Sequence, residues 1–233
     1  MSDEILIPEL DEVQTEPDDE GIENHQTFVD RLKGFSEEEL FLIDFAYDLA
    51  KAAHVRQRRD SGERYFEHLR NVALILLDDL KVKNHKMVIA ALLHDSIEDT
   101  FIFGHSTKAT YSQWQKIAMH RLTKLFDWET ATMIITLTKP KVDGMEIIDK
   151  KQAHDVYINN LAKSSEDTIL IKMCDRLHNL RSLVGNTKEK QDRIKKETEE
   201  TYFPIFQKVL TKYPKEGNYL ISEMKKAIER LPQ

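Results

Sequence analysis

The stretch Ala90-Ala-Leu-Leu-His-Asp-Ser-Ile-Glu-Asp-Thr100 restricts this chain more than any other. It begins as an apolar run and ends in titratable residues: His94, Asp95, Glu98 and Asp99. Read as one helix, it stacks His94 over Glu98 and Asp95 over Asp99, on stripes about 100° apart. Each charged group carried into a core without a partner costs several kcal/mol. A fold built on this stretch therefore ends it in a cation or a polar cavity, or lets its last turn emerge into water.

Helical signals surround it. Ser36 and Glu39 form a capping box ahead of Leu40, Ile43, Ala46, Leu49 and Ala53, which predicts a helix to about Val55. A basic segment, Arg56 to Arg59, then closes on a turn at Gly62. Tyr65, Val72, Leu76 and Leu80 mark a second helix, and Asn84 caps a third that carries the opening stretch. Phe101 to Tyr111 reads as a loop. Ser112 with Gln115 opens a helix to about Phe126, and another runs to Leu137 before Pro140. Helices are expected over 149–163, 165–183 and 188–210, the last kinked or broken at Pro204, and over 216–231. Trp114, Trp128 and the Tyr202–Phe206 aromatics are expected in the core. With 7 Gly and 6 Pro in 233 residues and no alternating strand pattern, the fold class is all-α, one helical domain over 26–233. Residues 1–25 hold ten Asp or Glu and no Lys or Arg, and read as an acidic N-terminal arm.

Charge and cysteine content narrow the function classes. A formal net charge of -7 disfavours a general nucleic-acid binder but leaves room for an anionic small molecule held by a local basic cluster. The single cysteine, Cys174, excludes an internal disulfide framework and fits a reducing compartment. No apolar run reaches the roughly 18–20 residues of a membrane span, and the acidic start is unlike a signal peptide. The expectation is a cytoplasmic protein with no membrane, nucleic-acid or identifiable protein partner.

Four side chains of metal-ligand type lie far apart in the chain: His68, His94, Asp95 and Asp175. Two imidazoles with two carboxylates suit a divalent ion such as Mn, Fe, Co or Zn, and leave positions for water or substrate. Spacing alone leaves open the alternative of structural histidines and a solvated helix end.

The ordered set closes much of that gap. His68, then Leu-Leu-His94-Asp95-Ser-Ile-Glu98-Asp99-Thr, then Ile-Lys172-Met-Cys-Asp175-Arg176-Leu-His-Asn179-Leu-Arg181, resembles the HD superfamily of metal-dependent phosphohydrolases. More narrowly, with Ala53-His54-x-x-Gln57-x-Arg59-x-Ser61-Gly62-Glu-x-Tyr65 and Leu-Thr138-Lys139, it is similar to the hydrolase domain of RelA/SpoT-type alarmone synthetase/hydrolases and of small stand-alone alarmone hydrolases. The resemblance covers about residues 40–205. It implies a helical bundle around one metal, usually manganese, and removal of the 3′-pyrophosphate from guanosine 3′,5′-bispyrophosphate (ppGpp or pppGpp). His68, His94, Asp95 and Asp175 fall on its ligand positions. Glu98 and Asp99 fall on its acidic pair, fitted to activate the attacking water and move a proton. Arg59, Ser61, Asn179 and Ser182 fall on positions lining the nucleoside pocket, Arg59 as a plane that can stack on a purine. Lys139, Lys172 and Arg176 are candidate electrostatic helpers, whereas His54 and His178 read as buried, hydrogen-bonded histidines.

The chain departs from the family pattern in places. Asp60 stands where lysine is usual, Arg64 and Leu69 where proline is, and Asp127 where glycine is. The 101–125 segment is longer than the resemblance leads one to expect, and reads as an added loop and helix near the metal. These departures leave the ligand set intact and bear on the substrate. The rival readings are another nucleotide or nucleotide cofactor at the same centre, and a module that binds a nucleotide without cleaving it.

Overall fold

The computed structural model describes residues 24–103, 111–139 and 150–232. Among them the chain is helical, with only two isolated bridges, Lys33 to Phe35 and Arg58 to Arg64. The elements are α1 (His25–Val29), α2 (Glu37–Ala53), α3 (Tyr65–Leu74), α4 (His85–Leu93), α5 (Ser96–Asp99), α6 (Tyr111–Leu125), α7 (Trp128–Leu137), α8 (Lys150–Ala162), α9 (Glu166–Arg181), α10 (Lys188–Glu197), α11 (Phe203–Phe206) and α12 (Pro214–Glu229).

Two helices form the axis of the domain. Every residue of α4 from Met87 to Leu93 is buried, and it packs against α2, α3, α7 and α9. A helix that is apolar all round belongs in the interior. α9 is buried from Asp167 to Leu177, with α3, α4, α7 and α12 against it. It is not apolar all round: Lys172, Asp175 and Arg176 are buried with it. Such a load of charge is tolerated only where the groups partner one another.

The caps read from sequence are in place. Ser36 and Glu39 bond reciprocally at the start of α2, and Asn84 accepts the amides of Lys86 and Met87 at the start of α4. Pro204 sits at the start of α11, beyond a π-helical turn over Thr198–Tyr202 that ends the regular part of α10. The predicted acidic arm falls on residues outside those described, except at its end, where Asn24 and Thr27 cap the unpredicted α1.

Three expectations are corrected. The 90–100 stretch is not one helix: α4 stops at Leu93, and α5 restarts at Ser96. The Ala91 carbonyl, which would take the amide of Asp95, instead accepts Nδ1 of His94 at 2.8 Å, and this diverts the helical ladder. Trp128 is not core but 67% exposed, because it follows the Asp127 cap at the outer end of α7. Finally, α6 begins at Tyr111 rather than being capped by Ser112. It buries Trp114, Ala118 and Leu122 and packs on α7.

Candidate active site

Two helices and one kink bring the predicted ligands together. His68 comes from α3, Asp175 from α9, and His94 with Asp95 from the break between α4 and α5. One ligand atom each from His68, His94 and Asp95 lies within 4.8 Å of the others. Oδ1 of Asp175 is 3.2 Å from Nε2 of His68 and 3.7 Å from Nε2 of His94. Oδ2 of Asp95 is 3.2 Å from Nε2 of His94 and 3.7 Å from Nε2 of His68. Ligand atoms bound about 2.1 Å from one ion stand roughly 3 Å apart at neighbouring positions, so these spacings suit a single divalent cation.

The surrounding hydrogen bonds agree. Nδ1 of His94 is committed to the Ala91 carbonyl, which turns its buried Nε2 toward the Asp95 and Asp175 carboxylates. Nδ1 of His68 meets Nδ1 of His178 at 2.8 Å, leaving Nε2 of His68 facing the carboxylates. An outer partner on each non-ligating ring nitrogen is the usual support for a metal-binding histidine. Asp175 is held from both sides, by Nζ of Lys172 at 2.6 Å and Nδ2 of Asn179 at 2.6 Å. Burial opposes charge on His94, but the Asp95 and Asp175 carboxylates hold its pKa up to about 10. Burial pushes His68 down. Burial of Asp175 is outweighed by Lys172 and the two histidines, which keep it well below the usual carboxylate range.

His68, Asp95 and Asp175 of this cluster line a cavity of about 460 Å³, with buried His94 behind Asp95. Glu98, Asp99, Arg59, Ser61, Asn179, Ser182 and Lys139 all line it, as do Lys172 and Arg176. Oε2 of Glu98 accepts the amide of Lys139 at 3.1 Å. Burial, with Asp95 and Asp99 nearby and Lys139 opposing them, raises its pKa above the ordinary 4.5. The hydroxyl of Tyr65 reaches Asp95 at 2.7 Å and Asp99 at 3.0 Å. Its ring stacks on buried His54, 4.9 Å between centroids and 9° between planes.

A short hairpin over 57–65 carries Arg59, Asp60 and Ser61 to the rim. Arg59 bonds Glu63 through its amide, Tyr65 bonds back to Gln57, and Gly62 supplies the positive φ of 86° that the turn requires. The Arg59 guanidinium donates to Nδ1 of His178 (3.1 Å), Oδ1 of Asn179 (2.8 Å) and Oγ of Ser182 (3.2 Å). Lys172 and Arg176 are not free helpers. Lys172 pairs with Asp175, and Arg176 pairs with Glu197 at 3.0 Å while lying over the Tyr202 ring.

Several lining residues escaped the sequence reading. Tyr65 is read there as a marker of α3 and as the end of the upstream motif, but not as a residue of the site; its Tyr-x-x-His spacing to His68 is the available signal. His154, Asn186, Lys190, Arg193 and Glu197 also line the cavity, from α8, α10 and the turn before α10. Nothing local in so charged a segment marks them. Among the described residues, none of α6 lines the cavity.

Comparison with known proteins agrees with this geometry. A family model described as HD domain matches residues 46–209. A probable guanosine-3′,5′-bis(diphosphate) 3′-pyrophosphohydrolase of Synechocystis is 34% identical over 162 residues, 69% of this chain and 19% of the relative. The bifunctional (p)ppGpp synthase/hydrolase SpoT of Escherichia coli K12 is 34% identical over 172 residues, 72% of this chain and 22% of its own. The chain thus spans about a fifth of the length of these relatives. A solved structure, of a metazoan SpoT ortholog described as hydrolysing ppGpp with a role in starvation responses, superimposes with a TM-score of 0.55. That match has 26% identity and covers 81% of this chain and 94% of the other.

Proposed function

The chain belongs to the HD-domain family, matched over residues 46–209, and on that premise we propose that it is a divalent-metal-dependent pyrophosphohydrolase removing the 3′-pyrophosphate of guanosine 3′,5′-bis(diphosphate). The observation that supports this reading is that His68, Asp95 and Asp175, with His94 packed against them, share a cavity with Arg59. The curated relatives are named for this reaction, and the metazoan neighbour is described as performing it.

The four residues would hold the ion; two imidazoles with two carboxylates suit Mn, Fe, Co or Zn, and the resemblance to alarmone hydrolases points among these to manganese. When bound, such an ion supplies Lewis-acid polarisation and an activated water. The chain's own groups do the rest. Glu98, with its raised proton affinity, takes the proton of the attacking water and can return it to O3′. The new bond joins the water oxygen to phosphorus, the phosphorus–O3′ bond breaks, and guanosine 5′-diphosphate and pyrophosphate leave. Asp99, tethered by Tyr65, shapes the same corner. Arg59, pinned to Asn179 and Ser182, offers its plane to the base, with Ser61 beside it on the hairpin.

Pyrophosphate release from guanosine 3′,5′-bis(diphosphate) with manganese supplied tests the reading. No turnover with any divalent ion would remove this substrate. A second reading keeps the centre and changes the nucleotide, and the Asp60 carboxylate at the rim favours it. Faster cleavage of another nucleotide in a panel would select that reading.

A further inference from the structure

We propose that Lys190 and Arg193 on α10 form a second anion subsite, which seats the 5′-diphosphate of the nucleotide, and that Asp60 competes with the substrate for it. The inference rests on the hydrolase reading above, and it concerns the opposite end of the ligand from the reacting phosphorus.

The charge balance inside the cavity is uneven. Beside the histidines each cation has a carboxylate: Lys172 has Asp175, Arg176 has Glu197, and Nζ of Lys139 lies 3.6 Å from Glu98. Toward the rim the balance fails. The side-chain bonds of Arg59 run to neutral groups only. Arg193 lines the cavity with no hydrogen bond or ion pair among the described residues. Unmatched positive charge facing a concave wall favours an anionic ligand there.

Lys190 adds a second sign. Its ammonium holds Oδ1 of Asn186 at 2.9 Å and Oδ2 of Asp60 at 2.6 Å. It is thus already presented to an oxyanion. That oxyanion belongs to a side chain 78% exposed at the tip of the 57–65 hairpin, where turning outward costs little. A phosphate oxygen can take its place. Lys190 and Arg193 stand three residues apart on one helix face, about 5–6 Å between Cβ atoms, a span that two adjacent phosphates can bridge. The arginine adds a planar fork suited to phosphate.

Steady-state kinetics on two substrates tests this: guanosine 3′,5′-bis(diphosphate), and guanosine 3′-diphosphate, which lacks the 5′-phosphates. Lys190→Ala and Arg193→Ala should each raise KM for the first by about tenfold, the loss of one charge-assisted hydrogen bond, with KM for the second unmoved. Asp60→Asn should lower KM for the first substrate only, an opposite sign that a merely structural role would not give. Equal shifts on both substrates, no shift on either, or a raised KM in Asp60→Asn would overturn the proposal. If the wild-type protein cleaves neither substrate, the hydrolase reading fails by itself, and binding of guanosine 5′-diphosphate against guanosine reads the subsite directly. Weaker diphosphate binding in Lys190→Ala and Arg193→Ala would uphold the subsite, and unchanged binding would remove it.

Discussion

Nδ1 of His68 lies 2.8 Å from Nδ1 of His178, and the same nitrogen of His178 receives a guanidinium N–H of Arg59 at 3.1 Å. A nitrogen that accepts two donors carries no proton, so the proton of the His178 ring sits on Nε2 and His68 donates through Nδ1. Burial, with His68 and Arg59 beside it, pushes the pKa of His178 down to about 3, in keeping with a permanently neutral ring. One half-buried imidazole thus orients a candidate metal ligand and a candidate base-stacking arginine together.

Replacing His178 with alanine should therefore loosen both ends of the site. Loss of an outer partner of this kind typically weakens metal affinity by about 10–100-fold. Calorimetric titration of the variant with manganese should show that loss, and substrate KM should rise because Arg59 loses one anchor. A manganese Kd equal to wild type would mean that the backbone of α3 alone orients His68.

Asp175 and Glu98 should separate binding from chemistry. Asp175→Ala removes a carboxylate 3.2 Å from His68 and leaves Lys172 buried without its partner. Metal content measured after dialysis should fall to background, with a stability loss of about 3–5 kcal/mol, as for other broken buried pairs. Glu98→Gln keeps shape and Lys139 contact and should retain metal, with kcat lowered about 10²–10⁴-fold. Equal metal loss in both variants would collapse the distinction.

Much of this arrangement was legible in the sequence, and what was not has physical reasons. Ligand types, capping residues and apolar spacing are local, and they located α2, α3, α4 and α9 with the groups they carry. The bend at His94 was hidden because a helix-forming run does not announce that a side chain will take the Ala91 carbonyl. Trp128 is expected in the core, yet its position just past the Asp127 cap leaves it in solvent. Lys190 is 130 residues from Asp60, so only the folded hairpin and the α9–α10 turn reveal that they meet.

The pKa of His94, held at about 10 against burial by Asp95 and Asp175, sets a pH dependence. The group lies above its ordinary 6.5, so the metal-free protein carries that proton at pH 7 to 8. Nδ1 is committed to Ala91, so the proton to be lost sits on Nε2, where a cation would bind. Metal uptake should release about one proton, and apparent affinity should rise about tenfold per pH unit until pH nears 10. Calorimetry in buffers of different ionisation enthalpy counts that proton. A release of zero would show that His94 is neutral before metal arrives.

Tyr65 offers the finest test of the acidic corner. One hydroxyl carries one proton, yet it lies 2.7 Å from Asp95 and 3.0 Å from Asp99. It therefore couples a ligand to an acid that faces the cavity. Its ring is fixed by the stack on His54, and the same segment anchors the end of α5 through Nε2 of Gln57 donating to the Asp99 carbonyl at 2.7 Å. Tyr65→Phe keeps the stack and removes only the hydroxyl. Loss of one hydrogen bond to a charged group corresponds to about 1.5–3 kcal/mol, so kcat should fall roughly tenfold to a hundredfold. Manganese affinity should drop far less than in Asp175→Ala, since Asp95 keeps its place beside His94. A variant with full kcat would show that Asp99 needs no tether, and one that loses metal as Asp175→Ala does would make the hydroxyl a support of Asp95 alone.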